Sequence, residues 1–141
     1  MNLKEEKSVA AIVFYKNAYL LLKYGLGHWE FVKGHIEEGE TESETIMREL
    51  EEETNITNAK IINGFKENYE YSFKFRGQSI HKQVSCYLIE SYTKSVKLSY
   101  EHDDFIWLSI DKAIKKVTYN NAKNLLKKAK QFRSSTLKSF L

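Results

Sequence analysis

The chain has 141 residues, of which 42% are hydrophobic and 13% aromatic, so it is long and apolar enough to bury the core of one domain and is not typical of a disordered protein. Its formal net charge is +3, its one cysteine excludes an internal disulfide, and no apolar run approaches the ~20 residues needed to span a bilayer. The charged start MNLKEEKS lacks the apolar segment of a secretion signal. We therefore expect a cytoplasmic protein with no membrane partner and a single domain over residues 1–141.

The first part of the chain predicts a hairpin, a short strand and a loop. The apolar runs SVAAIVFY and AYLLLKY are separated only by Lys16 and Asn17, which is typical of two antiparallel strands. GLGH predicts a loop, WEFV a short strand, and the glycine-bounded segment KGHIEEGE a further loop.

A helix is predicted from Thr41 to Thr54. Thr41 and Glu44 have the spacing of a capping box, in which each residue's side chain bonds the backbone of the other. Ile46, Met47 and Leu50 supply its apolar side.

Strands dominate the middle of the chain and helices its end. AKIINGFKENYEYSFKF predicts one or two strands, RGQ a turn, and SIHKQVSCYLIE and DFIWLSI two further strands. A short helix is predicted from Asp111, followed by an amphipathic helix with Ala122, Leu125, Leu126 and Ala129 on its apolar side. This order predicts an α/β fold in which helices cover two faces of one sheet.

The predicted first helix is unusually acidic. Nine glutamates lie between Glu37 and Glu53, and Arg48 is the one basic residue among them. Glu49, Glu52 and Glu53 are spaced i, i+3, i+4, so they share one helix face, which we expect to be open to solvent. Such a face is either simply solvated or a site for a hard divalent cation such as Mg²⁺, which prefers oxygen ligands.

The acidic helix belongs to a longer pattern. Eight of the nine fixed positions of the Nudix box, G-x5-E-x7-R-E-U-x-E-E-x-G-U with U aliphatic, are met by Gly34, Glu40, Arg48, Glu49, Leu50, Glu52, Glu53 and Ile56. The exception is Asn55, which stands where the box has glycine and which we expect in a left-handed conformation. The chain thus resembles the Nudix hydrolases, which cleave a nucleoside diphosphate linked to another moiety, and the resemblance implies an α/β/α sandwich with a mixed β-sheet between helices.

The same resemblance implies roles for individual residues. A divalent cation, Mg²⁺ or Mn²⁺, would be bound by carboxylates of the helix and by the backbone carbonyl of Gly34, while Arg48 would orient Glu49. Glu101, in SYEHDD, matches a loop glutamate that supports the metal or the nucleophile. The implied catalytic residues are Arg48, Glu49, Glu52, Glu53 and Glu101, and the implied metal-binding residues are Gly34, Glu49, Glu52, Glu53 and Glu101.

Segments outside the box are similar to the asymmetric diadenosine tetraphosphate hydrolases of the animal and archaeal type. They include GHWEFVKGHIEEGE, HKQVSCYLIE and the region from VKLSYEHDD to KKAKQF. By this resemblance the residues that contact the substrate are His28, Lys33 and Lys82 on the polyphosphate and Tyr119 on an adenine ring. Cys86 stands where that group has a second stacking tyrosine, and the neighbouring Tyr87 would point to the opposite face, so half of the aromatic clamp is expected to be missing.

The implied reaction is the metal-dependent hydrolysis of a dinucleoside polyphosphate, most simply diadenosine tetraphosphate to ATP and AMP, by a monomer. Water attacks a phosphorus in line and a helix carboxylate accepts its proton. One alternative is a Nudix pyrophosphohydrolase acting on RNA 5′ ends or nucleoside triphosphates, with RNA following the basic residues of the last helix, Lys123, Lys127, Lys128, Lys130 and Arg133. Another is a catalytically inactive nucleotide- or RNA-binding module.

Overall fold

A computed structural model describes residues 3–138, and residues 1–2 and 139–141 of the predicted single domain lie outside it. The elements in chain order are β1 (Leu3–Tyr15), β2 (Ala18–Tyr24), β3 (Trp29–Glu30), β4 (Val32–His35), α1 (Glu42–Thr54), β5 (Ala59–Phe75), β6 (Gln78–Ser91), β7 (His102–Leu108), α2 (Ile110–Lys116) and α3 (Asn120–Lys138). None of these helices combines the length and the apolar character needed to cross a membrane.

The seven strands form one mixed sheet. Its main order is β3-β2-β1-β6-β5, with β4 also paired to β1 and β7 to β2. The β1–β6 pair is parallel, from Leu3 opposite Ser79 to Phe14 opposite Glu90, and the other pairs are antiparallel. β5 is one long strand, and its pairing with β6 is irregular between Ile61 and Lys66.

Helices cover both faces of the sheet. On one face, α2 and α3 pack their small and aliphatic side chains, such as Ala113 and Leu126, against alternate residues of β1 and β6. On the other, Ile46 and Leu50 of α1 pack against the intervening residues of β1 and β2. Because successive strand residues point to opposite faces, both sides of β1 are apolar. The predicted α/β/α sandwich is confirmed.

The predicted loop after WEFV is partly wrong, because Val32–His35 forms strand β4. Its pairing with β1 places Lys33 opposite Ala10 and Gly34 opposite Val9. Lys33 and Gly34 therefore face opposite sides of the sheet, and Gly34 lies on the side covered by α1. Strand β4 thus fixes two predicted site residues, Lys33 and Gly34, relative to the acidic helix.

Both ends of α1 are capped. The Thr41–Glu44 capping box is present, and Asn55 closes the helix in the left-handed conformation, with φ 62° and ψ 15°. The Asn55 amide Nδ2 also donates to the carbonyl of Lys97 at 2.7 Å. Both sequence predictions for this helix are confirmed.

The loop between β6 and β7 is anchored to the C-terminal end of α1. The backbone N–H of Lys97 donates to the carbonyl of Thr54 at 3.0 Å, and that of Ser99 to the carbonyl of Glu53 at 3.2 Å. These bonds satisfy carbonyls that a helix end leaves without partners. They also bring the start of β7 beside the acidic residues of the helix.

Asn55 gives a direct test of this helix end. Asn55→Gly should change the free energy of unfolding by no more than about 1 kcal/mol, because glycine adopts the left-handed conformation freely but loses the bond to Lys97. Asn55→Val should cost about 1–2 kcal/mol more than Asn55→Gly, because its Cβ resists that conformation. Urea unfolding of both variants measures the difference, and equal midpoints would contradict the assignment.

Candidate active site

All of the predicted metal-binding residues line one cavity of about 570 Å³, which we call the acidic cavity. The cavity lies where β4, the C-terminal half of α1 and the loop before β7 meet. The predicted residues on its walls are Lys33, Gly34, Glu49, Glu52, Glu53, Lys82 and Glu101. Carboxylates and two lysines therefore share one opening, which suits a polyanion bound together with a cation.

Arg48 joins the carboxylates on one side of the acidic cavity. Its Nε donates to Glu40 Oε2 at 2.7 Å, and its Nη1 donates to Glu49 Oε1 at 2.9 Å and Glu52 Oε2 at 3.1 Å. Its Nη2 reaches the backbone carbonyl of His35 at 3.2 Å. The hydrogen bond from Arg48 lowers the pKa of Glu40 to about 2. Glu40 thus holds the loop before α1, and Arg48 orients Glu49.

The three helix carboxylates differ in exposure, and the expectation that all face solvent is wrong for Glu53. The exposed fractions of the side chains are 57% for Glu52, 15% for Glu49 and 4% for Glu53. Glu53 Oε1 lies 2.8 Å from Nε2 of His102, which is also buried. The cause is the loop between β6 and β7, which folds over the helix end and carries His102 with it. Sequence reasoning missed His102, although it directly follows Glu101.

Glu49 packs against the backbone of Gly34. A Cβ added to Gly34 would lie 2.1 Å from Glu49 Cδ, so only glycine leaves room for this carboxyl. Burial, followed by the neighbouring Glu53 carboxylate, raises the pKa of Glu49 to about 7 against the opposing effect of Arg48. A proton on Glu49 relieves the repulsion between the two carboxylates.

Within residues 3–138, no three His, Cys, Asp or Glu side chains are arranged as a ready-made shell for a metal ion. Arg48 holds Glu49 and Glu52, while His102 holds Glu53. Two features nevertheless fit a cation. Glu53 Oε2 is buried without a hydrogen-bond partner, and burial beside Glu53 raises the pKa of Glu49, a cost to its charged form that a bound cation would offset. The all-oxygen donor set suits Mg²⁺ or Mn²⁺.

A second cavity, of about 460 Å³, adjoins the first and is lined by aromatic side chains; we call it the aromatic cavity. Its walls are His28, Glu30, Lys33, Tyr69, Tyr71, Tyr119, Asn120 and Asn121. Tyr119 is half-exposed and precedes α3. Its neighbour Thr118 is bonded to the backbone of Trp29 in both directions, at 2.8 and 3.2 Å, which places Tyr119 beside His28. The predicted substrate residues His28, Lys33 and Tyr119 thus lie together.

Glu30 is a residue of this region that sequence reasoning missed. Glu30 is only 8% exposed. Its Oε2 lies 2.7 Å from Lys33 Nζ and 3.5 Å from His28 Nε2. Lys33 also lies 5.0 Å from the centre of the Tyr24 ring. Glu30 therefore fixes the two side chains expected to contact phosphate. The available signal was the two-residue spacing of His28 and Glu30 where the chain enters strand β3.

Stacked rings connect the two cavities. Tyr24 lies parallel to His28, with ring centres 5.0 Å apart, and edge-on to His102 at 4.6 Å. Its hydroxyl donates to the carbonyl of Phe31 at 2.7 Å. Burial and the nearby Glu53 raise the pKa of Tyr24 well above its usual value, so it stays protonated. A continuous row of contacts thus joins His28 in the aromatic cavity to His102, which holds Glu53.

Cys86 does not lie in the aromatic cavity, so the predicted gap in an aromatic clamp is wrong at that position. Cys86 is fully buried in the core beneath α3, and burial raises its pKa to about 12. Tyr87 points to the other face, as expected, where its hydroxyl donates to Glu42. The aromatic side chains opposite Tyr119 come from β5 instead, as Tyr69 and Tyr71.

Most basic side chains of α3 are engaged within the protein. Lys123 donates to the carbonyls of Ile114 and Lys115, and Arg133 donates to the hydroxyl of Tyr19. Lys128 and Lys130 pair with Glu67 and Asp111. These contacts give no support to a helix face reserved for RNA.

The raised pKa of Glu49 predicts a pH effect on the metal-free protein. Because the pKa of Glu49 is about 7 when folded and 4.5 ordinarily, the folded state binds this proton more tightly. The contribution of Glu49 to the free energy of unfolding should therefore fall as pH rises from 4.5 through about 7. Thermal unfolding with a chelator should show this slope reduced in Glu49→Gln and kept in the exposed control Glu51→Gln. An identical slope in all three proteins would contradict the raised pKa of Glu49.

Comparison with known proteins agrees with this geometry. The chain matches the NUDIX domain family over residues 4–129. It is 31% identical over 122 residues to the asymmetrical bis(5′-nucleosyl)-tetraphosphatase of Rattus norvegicus, covering 84% of this chain and 82% of that protein. It is 30% identical over 133 residues to the enzyme of that name from Caenorhabditis elegans, covering 89% and 95%.

A solved structure shows the same fold. The C. elegans Ap4A hydrolase binary complex superimposes with a TM-score of 0.81 and 29% sequence identity, covering 92% of this chain and 98% of that one. The similarity thus extends well beyond the box. The chain belongs to the Nudix family and is a hydrolase of phosphoanhydride bonds.

Proposed function

We propose that the chain hydrolyses dinucleoside polyphosphates, with diadenosine tetraphosphate as the substrate that its site fits best. Water would add to a phosphorus and a P–O–P bond would break, giving ATP and AMP. The names of the rat and C. elegans relatives support this reaction. The observation in the structure that carries it is the junction of the two cavities.

The aromatic and acidic cavities share Lys33, Tyr69 and Tyr71 on their walls. A nucleobase between Tyr119 and the tyrosines of β5 would therefore direct its phosphates past Lys33 towards the carboxylates. Stacking on aromatic rings binds any base through its flat face, and lysines bind phosphate. A substrate with both a base and a long phosphate chain fills both cavities.

The acidic cavity would hold Mg²⁺ or Mn²⁺ through Glu49, Glu52, Glu53 and the Gly34 carbonyl, with Glu101 at the rim. When bound, such an ion neutralises phosphate charge and lowers the pKa of water. Glu53 contributes its unpartnered Oε2, because His102 already occupies Oε1.

The protein's own groups perform the remaining tasks. Lys33 and Lys82 bind phosphate oxygens; burial and the nearby Lys33 lower the pKa of Lys82, so it gains from an anionic neighbour. The proton of the attacking water passes to a carboxylate of α1.

Two other functions use the same residues. A pyrophosphohydrolase of nucleoside triphosphates would place its one base in the aromatic cavity, and one that acts on RNA 5′ ends would need mainly the acidic cavity; neither has a second base to bind. An inactive nucleotide- or RNA-binding module needs neither all three carboxylates nor Arg48. Turnover of diadenosine tetraphosphate, ATP and 5′-triphosphate RNA by one preparation, with and without Mg²⁺, separates these functions. Monomeric state and a cytoplasmic location remain predictions.

Glu52→Gln tests the carboxylates without disturbing the core, since Glu52 is exposed. We expect kcat to fall by roughly 10²–10⁴-fold, the scale of a lost base or of weakened metal chemistry. Glu51→Gln is the matched control, because Glu51 is also exposed on α1 but does not line the acidic cavity. Equal kcat values for the two variants in saturating Mg²⁺ would remove Glu52 from the site.

Tyr119→Ala tests base stacking, which is worth roughly 1–3 kcal/mol for one ring. Because this energy is present in the ground and transition states alike, KM for diadenosine tetraphosphate should rise about 5- to 150-fold with little change in kcat. Tyr119→Phe keeps the ring and should keep KM within about threefold. If the alanine variant binds as tightly as the parent protein, the base lies elsewhere.

A further inference from the structure

Four aromatic side chains form a row on one face of β5, which we call the aromatic ladder: Tyr69, Tyr71, Phe73 and Phe75. Alternate residues of a strand point to the same face, about 7 Å apart. The ring centres of Tyr69 and Tyr71 are 6.1 Å apart and those of Tyr71 and Phe73 are 5.8 Å apart, in nearly parallel pairs.

The two ends of the aromatic ladder differ. Tyr69 and Tyr71 line both cavities, whereas Phe73 and Phe75 lie beyond them, 37% and 58% exposed. No ring contact joins Phe73 to Phe75 among the described residues, and Arg76 lies over Phe75 at 5.2 Å. The side of Phe73 that faces away from Tyr71 is therefore free to accept another flat group.

Lysines accompany the aromatic ladder on the same face. Tyr71 is opposite Lys82 on β6, and Phe73 is opposite Ile80. In the next strand, β1, Ile80 is in turn opposite Lys4. Directly opposite residues of paired strands share a face, so Lys82 and Lys4 lie beside the rings, with Glu6 opposite Lys82 and 3.5 Å from Lys4 Nζ. Cationic groups next to stacking rings are the combination that nucleotides bind.

We propose that Phe73, with Phe75 beyond it, binds the second nucleobase of the dinucleotide substrate, the base that the aromatic cavity does not hold. This inference rests on the proposed function, since only a dinucleotide has a second base. The rings of Tyr71 and Phe73 are too close to admit a base, which needs about 3.5 Å of space on each side. The second base therefore stacks on the outer side of Phe73.

The reach of the substrate agrees with this placement. Tyr69 and Phe75 are six residues apart on one strand, which corresponds to about 20 Å. Four phosphates between two riboses can extend over a distance of this order. The phosphate chain would pass Lys82, which stands between the acidic cavity and the outer rings.

The test compares diadenosine tetraphosphate with adenosine 5′-tetraphosphate, which carries the same phosphate chain and one base. Phe73→Ala should raise KM for the dinucleotide about 5- to 30-fold at nearly constant kcat. KM for the mononucleotide should rise less than about twofold, because that compound has no second base. Tyr119→Ala, by contrast, should raise KM for both compounds.

Two controls separate stacking from folding. Phe73→Tyr keeps an aromatic ring and should restore KM for the dinucleotide. Tyr92→Ala removes another exposed ring, 47% exposed and just past the far end of β6, and should change neither KM. Melting temperatures of all variants show whether the hairpin of β5 and β6 has remained folded.

Each outcome decides the inference. If the parent protein hydrolyses both compounds and Phe73→Ala changes neither KM, the inference is overturned while the proposed function stands. An equal rise in both KM values would overturn it too, because Phe73 would then act on the first base or on the fold. A dimer that dissociates in Phe73→Ala, with unchanged KM, would show that a second copy of the chain covers these rings instead. If neither compound is hydrolysed, the proposed function is contradicted, and this inference with it.

Discussion

The guanidinium of Arg48 is the group on which the geometry of the acidic cavity depends. Four carboxylates of a helix and its preceding loop would repel one another if left alone. Arg48 binds Glu40 on one side and Glu49 and Glu52 on the other, and it ties the helix to the end of β4 through the His35 carbonyl. The side chain is 24% exposed, so these bonds are only partly weakened by water. The arginine thereby keeps the carboxylates assembled before any cation arrives.

Near this group, a row of side-chain contacts runs from Tyr119 in the aromatic cavity to Glu53 in the acidic cavity. Tyr119 touches His28, which stacks on Tyr24, and Tyr24 packs edge-on against His102. His102 in turn bonds Glu53. Each contact in this row is close, so side chains of the aromatic cavity pack continuously against the end of α1 that carries Glu53.

Local signals predicted the hairpin, the capped helix and the left-handed Asn55, whereas the site residues outside α1 were implied by the family resemblance. The features that the sequence did not predict depend on contacts between segments that are distant along the chain. Glu53 is buried because a loop more than forty residues later folds over it, and helix spacing alone carries no trace of that cover. Cys86 faces the core because its register with β1 sets its side, so Tyr71 from the neighbouring strand lines the cavity instead. Gly34 lies in strand β4, and the sequence missed this because glycine favours loops.

The most direct measurement of the central claim is the identity of the products formed from diadenosine tetraphosphate with Mg²⁺. Chromatography of a single-turnover reaction should show ATP and AMP in equal amounts, formed only when the cation is present. Two molecules of ADP would mean that the phosphate chain is cut at its centre, contrary to a site that holds the two ends differently. Unchanged substrate, with hydrolysis of nucleoside triphosphates or RNA 5′ ends by the same sample, would contradict the account.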